Sequence, residues 1–508
     1  MLQTFNALQP KTSYGHDTIS SKIIKQLKFE LITPMKIICQ RISDERRFPE
    51  AWKLAKVLPL HKKGDRSITA NYRPISLLPA LSKIAEKWIG RQLYNHFERN
   101  HLFPKHQYGF RKKKSTMNAV TNLVYEMEKA KINNKSFAVM FMDLSKAFDL
   151  IDHTILYRKL TMYGITQASI EIIRSYLSNR RQFVEINSEK SSIKHLPKIG
   201  CPQGSILGPL LYLIYTIDVE NVTENHTIMY ADDTAALIKL PAKEDDRGPI
   251  IEETLRKYEK NFFNNKLKIN ATKTEIISNV PIKININGQE INSNKNTSAK
   301  YLGIMLNGGL KWKEQHNVTI KRMKLGIAAL SKVKKVKNIK AKKAIAEALI
   351  NSHLNYGIHL WYQGKNTPET KIIEKLHKTS IRMIAGAKRS THTQPLCKKL
   401  EMLQMKDLYK INVLNHGLHA IKNQDVRLAA DFLGQVFITE KKTRNGKQLV
   451  PKFRSDTMTR HLKIINEHYG ELLVNKKPKT IIQNIKKTAI QNYKFQCDIT
   501  NCFACKNE

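Results

Sequence analysis

The chain is short of acidic residues and of cysteine, and it has no long apolar run. Asp and Glu total 43 against 87 Lys and Arg, which leaves a formal net charge of +44. An excess of that size does not specify a fold, but it predicts strong, salt-sensitive attraction to polyanions. Six cysteines in 508 residues make no disulfide framework, so a reducing compartment is expected. No apolar stretch reaches membrane-spanning length, and Met1 to Lys25 lacks the apolar core of a secretory signal, which sets aside spanning and secreted classes. An anionic membrane surface is the rival partner; nucleic acid is the expectation. Internal repeats and long low-complexity tracts are absent too. Hydrophobic residues at 41% argue against disorder despite the charge, and the length suits roughly two to four domains with sizeable cores.

What is present is most informative at Tyr230-Ala231-Asp232-Asp233, two adjacent carboxylates between His226–Met229 and Thr234–Ile238. Neighbouring Asp side chains repel, and each is costly to hold near an apolar sheet without a cation. A tight hairpin whose tip offers both carboxylates to a divalent metal accounts for them, and magnesium, an oxygen-seeking ion, suits nucleotide chemistry. An exposed Asp turn is the plainer reading of four residues taken alone. A second acid strengthens the first reading. Residues 137–143 form a continuous apolar run ending in Asp143, the pattern of a buried strand. A strand-end Asp beside the hairpin pair gives three converging carboxylates, which two-metal phosphoryl transfer requires. Asp149 and Asp152 are alternatives that a following helix would turn away.

Elsewhere, residues 18–45 read as two helices, with Asp17 or Ser20 as caps and a break near Pro34. Lys56–Leu60 reads as a strand leading into the basic turn His61–Asp65. Ser82–Phe97 reads as a helix with a polar outer face, His153 to about Tyr163 as another, and a third follows Gly208. Gln182–Ile186 and Ile228–Leu237 are further strand candidates. Beyond Gly303 the chain turns helical and basic, with ten Lys or Arg between Lys321 and Lys343, equally a solvated face or a nucleic-acid contact. Cys497, Cys502 and Cys505 are spaced like a metal finger, yet a structural zinc site takes four ligands, so zinc is not expected there. Residues beyond about 401 are the least readable.

Three blocks carry a resemblance. Phe141-Met142-Asp143-Leu144-Ser145-Lys146-Ala147-Phe148-Asp149, Gly200-Cys201-Pro202-Gln203-Gly204-Ser205-Ile206-Leu207-Gly208-Pro209-Leu210 and Tyr230-Ala231-Asp232-Asp233-Thr234 resemble, in order and spacing, motifs of reverse transcriptases, most closely those of non-LTR (LINE-like, jockey-type) retrotransposons. Asn71–Leu78, Gln107–Arg111 with Ser115-Thr116, Lys268–Asn270 with Lys273–Glu275, and Lys300–Ile304 resemble its flanking motifs. Weaker similarity runs to about Leu408.

The resemblance implies an α+β right-hand polymerase with fingers, an RRM-like antiparallel palm, a helical thumb and a mainly helical C-terminal extension. The expected bounds are 1–42 for an N-terminal helical extension, 43–306 for fingers and palm, 307–400 for a basic thumb, and 401–508 for a region of unknown role. The implied activity is RNA-directed DNA polymerisation, in which a DNA 3′-hydroxyl attacks a dNTP on an RNA template. Magnesium, or manganese, would be held by Asp143, Asp232 and the Leu144 carbonyl, with Asp233 nearby. Phe148 would lie under the incoming sugar and exclude a 2′-hydroxyl. Gln203 and Gly204 would line the nucleotide pocket, and Arg73, with Lys62 or Lys63, would meet the triphosphate. Lys273 would give a proton to pyrophosphate. Lys300, Tyr301, Leu302 and Gly303 would hold the primer end, and Arg111 would touch template backbone. Cys201 stands where the family commonly has valine, a tolerable small thiol. The implied partners are RNA template, DNA primer or target, and dNTPs, in a ribonucleoprotein of nucleus and cytoplasm. No upstream endonuclease motif is seen, so a truncated element copy, a fragment or a domesticated polymerase is expected. The competing readings are a silent nucleic-acid-binding relic and a group II maturase-like or telomerase-like enzyme.

Overall fold

The computed structural model describes residues 1–286, 289–362, 367–422, 438–443 and 446–451. A four-stranded sheet runs in the order His226–Tyr230, Asp233–Leu240, Ser136–Met142, Glu275–Ser278. By compactness the chain divides into two units. One comprises Met1–Lys113, Met142–Ala235 and Glu252–Thr274; the other Lys114–Phe141, Ala236–Ile251 and Glu275 onward.

In the first unit, the strand Leu54–His61 pairs antiparallel with Tyr72–Leu77, in a register that sets Leu60 opposite Arg73 and His61 opposite Tyr72. Side chains alternate along strands, so Arg73 and Lys62, one residue past the strand end, fall on one face of this ribbon. Leu54–Val57 also pairs in parallel with Arg181–Val184. Among the helices of this unit are Ala80–Arg99, His153–Met162, Gln167–Leu177 and Leu207–Tyr215. The last, Leu-Gly-Pro-Leu-Leu-Tyr-Leu-Ile-Tyr, is apolar on every side and almost wholly buried, as a central core helix must be.

The two N-terminal helices form at Ser21–Gln26, capped by the Ser20 hydroxyl, and Lys28–Glu45. Their break falls at Leu27 and not near Pro34, which lies inside the second helix. Pro34 is on the exposed side, where the carbonyl it leaves unbonded reaches water. Met35, Cys39 and Ile42 on the opposite stripe are buried and keep the helix intact.

In the second unit, Ala138–Phe141 pairs antiparallel with Glu275–Ser278, Val139 facing Ile277. Hairpins follow at Ile282–Ile286 with Gln289–Ser293 and at Ser298–Tyr301 with Ile304–Asn307. The expected basic helical region comprises Lys313–Lys332, Ile339–Ala346, Pro368–Ala385, Thr393–Leu400 and Met405–Lys422. Ile438–Thr443 pairs antiparallel with Gly446–Pro451, so the region beyond 401 contains strand as well as helix. Cys497, Cys502 and Cys505 lie outside the described residues. Among the described residues no helix is long and apolar enough to cross a membrane.

Candidate active site

The apolar run 136–142 becomes a strand because six of its seven residues are buried, and Asp143 is the first residue beyond it. The chain then pairs with a second segment. The Asp143 carbonyl accepts from Asn270 N at 2.8 Å, Ser145 N donates to the Lys268 carbonyl at 2.9 Å, and Leu144 bridges Ile269 antiparallel. In such a pair the bonds come from the flanking residues, so the Leu144 carbonyl points away from the partner segment and is free for another donor or a cation. The same segment carries Lys273, whose Nζ is 2.5 Å from Asp143 Oδ2.

Asp232 and Asp233 sit at the bend between His226–Tyr230 and Asp233–Leu240, where Ala231 takes a left-handed φ of 58°. The bend is braced from Gln107–Gly109. Tyr108 N donates to the Met229 carbonyl at 2.8 Å, and Met229 N to the His106 carbonyl at 3.0 Å. The buried Gln107 Oε1 accepts from Gly109 N at 2.8 Å and Ala231 N at 3.2 Å. A side chain at position 109 has no room: its Cβ would lie 2.2 Å from Ala231 N. Sequence reasoning took Gln107 and Gly109 as part of a motif without assigning them this task.

The three acids are electrostatically one group. Burial pushes Asp232 upward, Asp143 adds to it, and Arg73 and Lys62 oppose it. Burial, then the charges of Asp232 and Asp143, push Asp233 up to about 6, with Lys273 opposing. Lys62 moves the other way, lowered by partial desolvation and by the like charges of Arg73 and Lys273. Beneath them lies the buried Tyr212, its phenol raised by burial and by all three carboxylates. The Phe148 ring lies 4.8 Å from Tyr212 and 6.0 Å from Phe110. Asp143, Asp232, Asp233, Arg73, Lys62, Lys273 and Phe148 are thus gathered within one unit.

Gln203 is held there by a different route. Its Nε2 donates to both Asp149 oxygens, at 2.9 and 3.0 Å, and its carbonyl accepts from Ser76 N at 2.8 Å. Gly204, at φ +106°, brings its backbone so close to the Ser76 carbonyl that a Cβ would stand 2.8 Å away. Asp149 therefore positions Gln203, while Asp152 caps His153–Met162 and pairs with Lys266; neither joins the acidic cluster. Glu86, unassigned in the sequence, is fully buried. It accepts from Ile206 N at 2.7 Å, Leu207 N at 3.3 Å, Tyr176 Oη at 3.2 Å and Ser82 Oγ at 2.9 Å, so it fixes the start of the central helix. Its spacing from Ser82, Ile89 and Leu93 is the signal that could have placed it on the inner stripe.

Arg111 is engaged within the first unit. Its guanidinium is buried, paired with Glu98 through three hydrogen bonds of 3.1–3.2 Å, bonded to the Pro104 carbonyl at 2.7 Å, and stacked over Phe103. Those partners engage its charge within the protein. In the second unit, Lys300 is exposed, Tyr301 is buried against Phe141 at 5.1 Å, and the Leu302–Gly303 bend (φ 44° and 87°) is pinned by Tyr356 Oη donating to the Leu302 carbonyl at 2.6 Å.

Among the described residues no set of three or more His, Cys, Asp or Glu is arranged to hold a metal ion. The donor chemistry nevertheless fits a hard divalent cation: Asp232 and Asp233 raised first by burial and then by neighbouring carboxylates, a carbonyl at Leu144 turned from its paired segment, and an ammonium already drawn onto Asp143.

Comparison with known proteins agrees with this geometry. Residues 60–306 match the family described as reverse transcriptase (RNA-dependent DNA polymerase). The chain is 30% identical over 390 residues to the probable RNA-directed DNA polymerase from transposon BS of Drosophila melanogaster, covering 71% of this chain and 41% of that protein. It is 28% identical over 460 residues to the RNA-directed DNA polymerase from mobile element jockey of the same fly, covering 82% and 48%. Against the probable RNA-directed DNA polymerase from transposon X-element, also of Drosophila melanogaster, identity is 27% over 409 residues, covering 77% and 44%. The chain thus spans under half the length of these relatives.

Proposed function

We propose, on the premise that residues 60–306 are a reverse transcriptase domain of the non-LTR retrotransposon type, that this chain copies RNA into DNA by nucleotidyl transfer. The observation that carries the proposal is the cluster of Asp143, Asp232 and Asp233 facing the cations Lys62, Arg73 and Lys273.

In this reading Asp143 and Asp232, with the Leu144 carbonyl, would hold magnesium, with manganese as a substitute, and the ion would supply Lewis acidity to a primer 3′-hydroxyl and countercharge to the triphosphate. The chain's own groups do the rest. Arg73 and Lys62, on one face of their ribbon, meet the phosphates as charged donors. Lys273, whose ammonium sits on Asp143, would give the proton to the departing pyrophosphate. Phe148, backed by Tyr212, fills the space a 2′-hydroxyl needs. Gln203, fixed by Asp149, and Gly204 line the nucleotide pocket. The bend Lys300–Gly303 supports the primer end. Bounds of 1–42, 43–306, 307–400 and 401–508 serve as the working division into N-terminal extension, fingers with palm, thumb, and C-terminal region. The partners are RNA template, DNA primer or target, and dNTPs, within a ribonucleoprotein of nucleus and cytoplasm.

Purified protein should extend a DNA primer on an RNA template, and Asp143→Ala or Asp232→Asn should abolish extension. Equal extension by either variant refutes the assignment of these carboxylates.

A further inference from the structure

Behind the Gln203 loop lies a pocket of about 270 Å³, lined by Pro74, Asp149, Arg180, Ile199 and Cys201 among others. Most of its wall is apolar, and it is on the scale of a small-ligand site. Its one basic side chain of full charge is out of place by ordinary rules. Arg180 is only 3% exposed, its Nη1 donates to the Tyr176 carbonyl at 2.9 Å, and its Nε and Nη2 have no hydrogen-bond partner. Its guanidinium also lies over the Tyr176 ring, 4.8 Å from the centroid. A buried, unpaired N–H on a charged group costs more than an unpaired neutral one, and native proteins leave few such groups unexplained.

The neighbouring carboxylates do not relieve it. Asp149 is engaged by Gln203 through both oxygens, and Glu86 by Ser82, Tyr176 and two amides of the central helix. The unmet fork of Nε and Nη2 matches an oxyanion, because guanidinium donors bind phosphate and carboxylate oxygens in pairs. In a chain of net charge +44 the ligand of highest local concentration is phosphate-bearing.

We infer that the Arg180 pocket is a binding site for a phosphate oxyanion, supplied either as a nucleic-acid phosphodiester or as free phosphate. The site is separate from the carboxylate cluster, and its occupation does not depend on the polymerase reading. Because Gly200–Gln203 forms one wall, an anion there firms the loop that presents Gln203.

Amide hydrogen exchange of the full chain tests this, read on the segment 196–203, without metal or dNTP. Inorganic phosphate should slow exchange of that segment by about threefold or more in the wild type. Arg180→Met should abolish the effect and Arg180→Lys should keep part of it. Ile199→Trp, at the half-exposed rim, should also abolish it by filling the mouth while leaving Arg180 in place, and it decides the matter if Arg180→Met does not fold. If a primer–template duplex protects the segment in the wild type but in neither variant, and phosphate does not, the site stands and its ligand is a phosphodiester. If neither protects it, or Arg180→Met and Ile199→Trp are protected like the wild type, the inference fails. Loss of primer extension with this protection intact would instead strike the polymerase reading alone.

Discussion

Asp233→Asn should make this protein more stable while weakening or abolishing its activity. The Asp233 carboxyl is pushed up to about 6 from an ordinary 3.8, first by burial and then by the charges of Asp232 and Asp143. Two pKa units correspond to about 3 kcal/mol. Asp233 keeps some exposure to water, and screening reduces that to roughly 1–2 kcal/mol. An Asn of the same shape removes the charge and its repulsion, and in a protein of 508 residues that is worth roughly 1–2 °C in Tm. The dependence on pH has a definite sign. Between about pH 4 and 6 the folded protein keeps a proton on Asp233 that the unfolded chain has released, so stability falls as pH rises through that window. The advantage of the Asn variant is therefore full at pH 7 and gone by about pH 4. Magnesium should raise the wild-type Tm at pH 7 and leave that of Asp232→Asn unchanged. Thermal melts from pH 4 to 8, with and without the metal, read all of this. A variant that melts no higher than wild type at pH 7, or a gap indifferent to pH, refutes the claim that these carboxylates repel one another.

Phe148→Ala should admit ribonucleotides, with discrimination against the 2′-hydroxyl falling by roughly tenfold or more in single-nucleotide extension assays; unchanged discrimination places the sugar elsewhere. Gln107→Ala removes the acceptor shared by Gly109 N and Ala231 N. It should lower kcat by roughly 10–100-fold with little change in the dNTP KM, and Gln107→Glu, which keeps the acceptor, should recover much of it; a rise in KM at constant kcat contradicts a positioning role. Lys273→Met removes the charge that holds Asp233 down, so the acid limb of the pH–rate profile should move to higher pH. A limb that stays or moves lower would show that Asp233 does not set it.

The chemistry was legible because it is local. An apolar run stopped by Asp143 and two adjacent acids in a strand pattern are departures from composition that need no tertiary knowledge, and period-2 and period-3.6 patterns located the elements around them to within a few residues. Partner choice across the fold was not legible. Arg111 begins a basic run, Arg-Lys-Lys-Lys, and reads as a surface cation, yet Glu98 lies within reach only because the chain turns back after Ala80–Arg99. Pro34 reads as a helix break, yet the buried stripe of Met35, Cys39 and Ile42 outweighs one lost hydrogen bond.

Gln107 shows where that limit lies. It is 124 residues from Ala231, and its neighbours suggest only a turn with a glycine. Its task follows from a steric fact instead. Ala231 must hold a left-handed backbone for the bend to carry two acids side by side, which costs a non-glycine residue about 1 kcal/mol or more. An amide donor in that conformation needs an acceptor, and Gln107 supplies one only if the backbone at 109 comes too close for any Cβ. The glycine at 109 and the glutamine at 107 are therefore one device, and each should be intolerant of substitution for the other's reason. Gly109→Ala, which leaves the Gln107 side chain untouched, should displace the bend and lose activity as fully as Gln107→Ala, and the double variant should be little worse than either. Additive losses would show two independent roles.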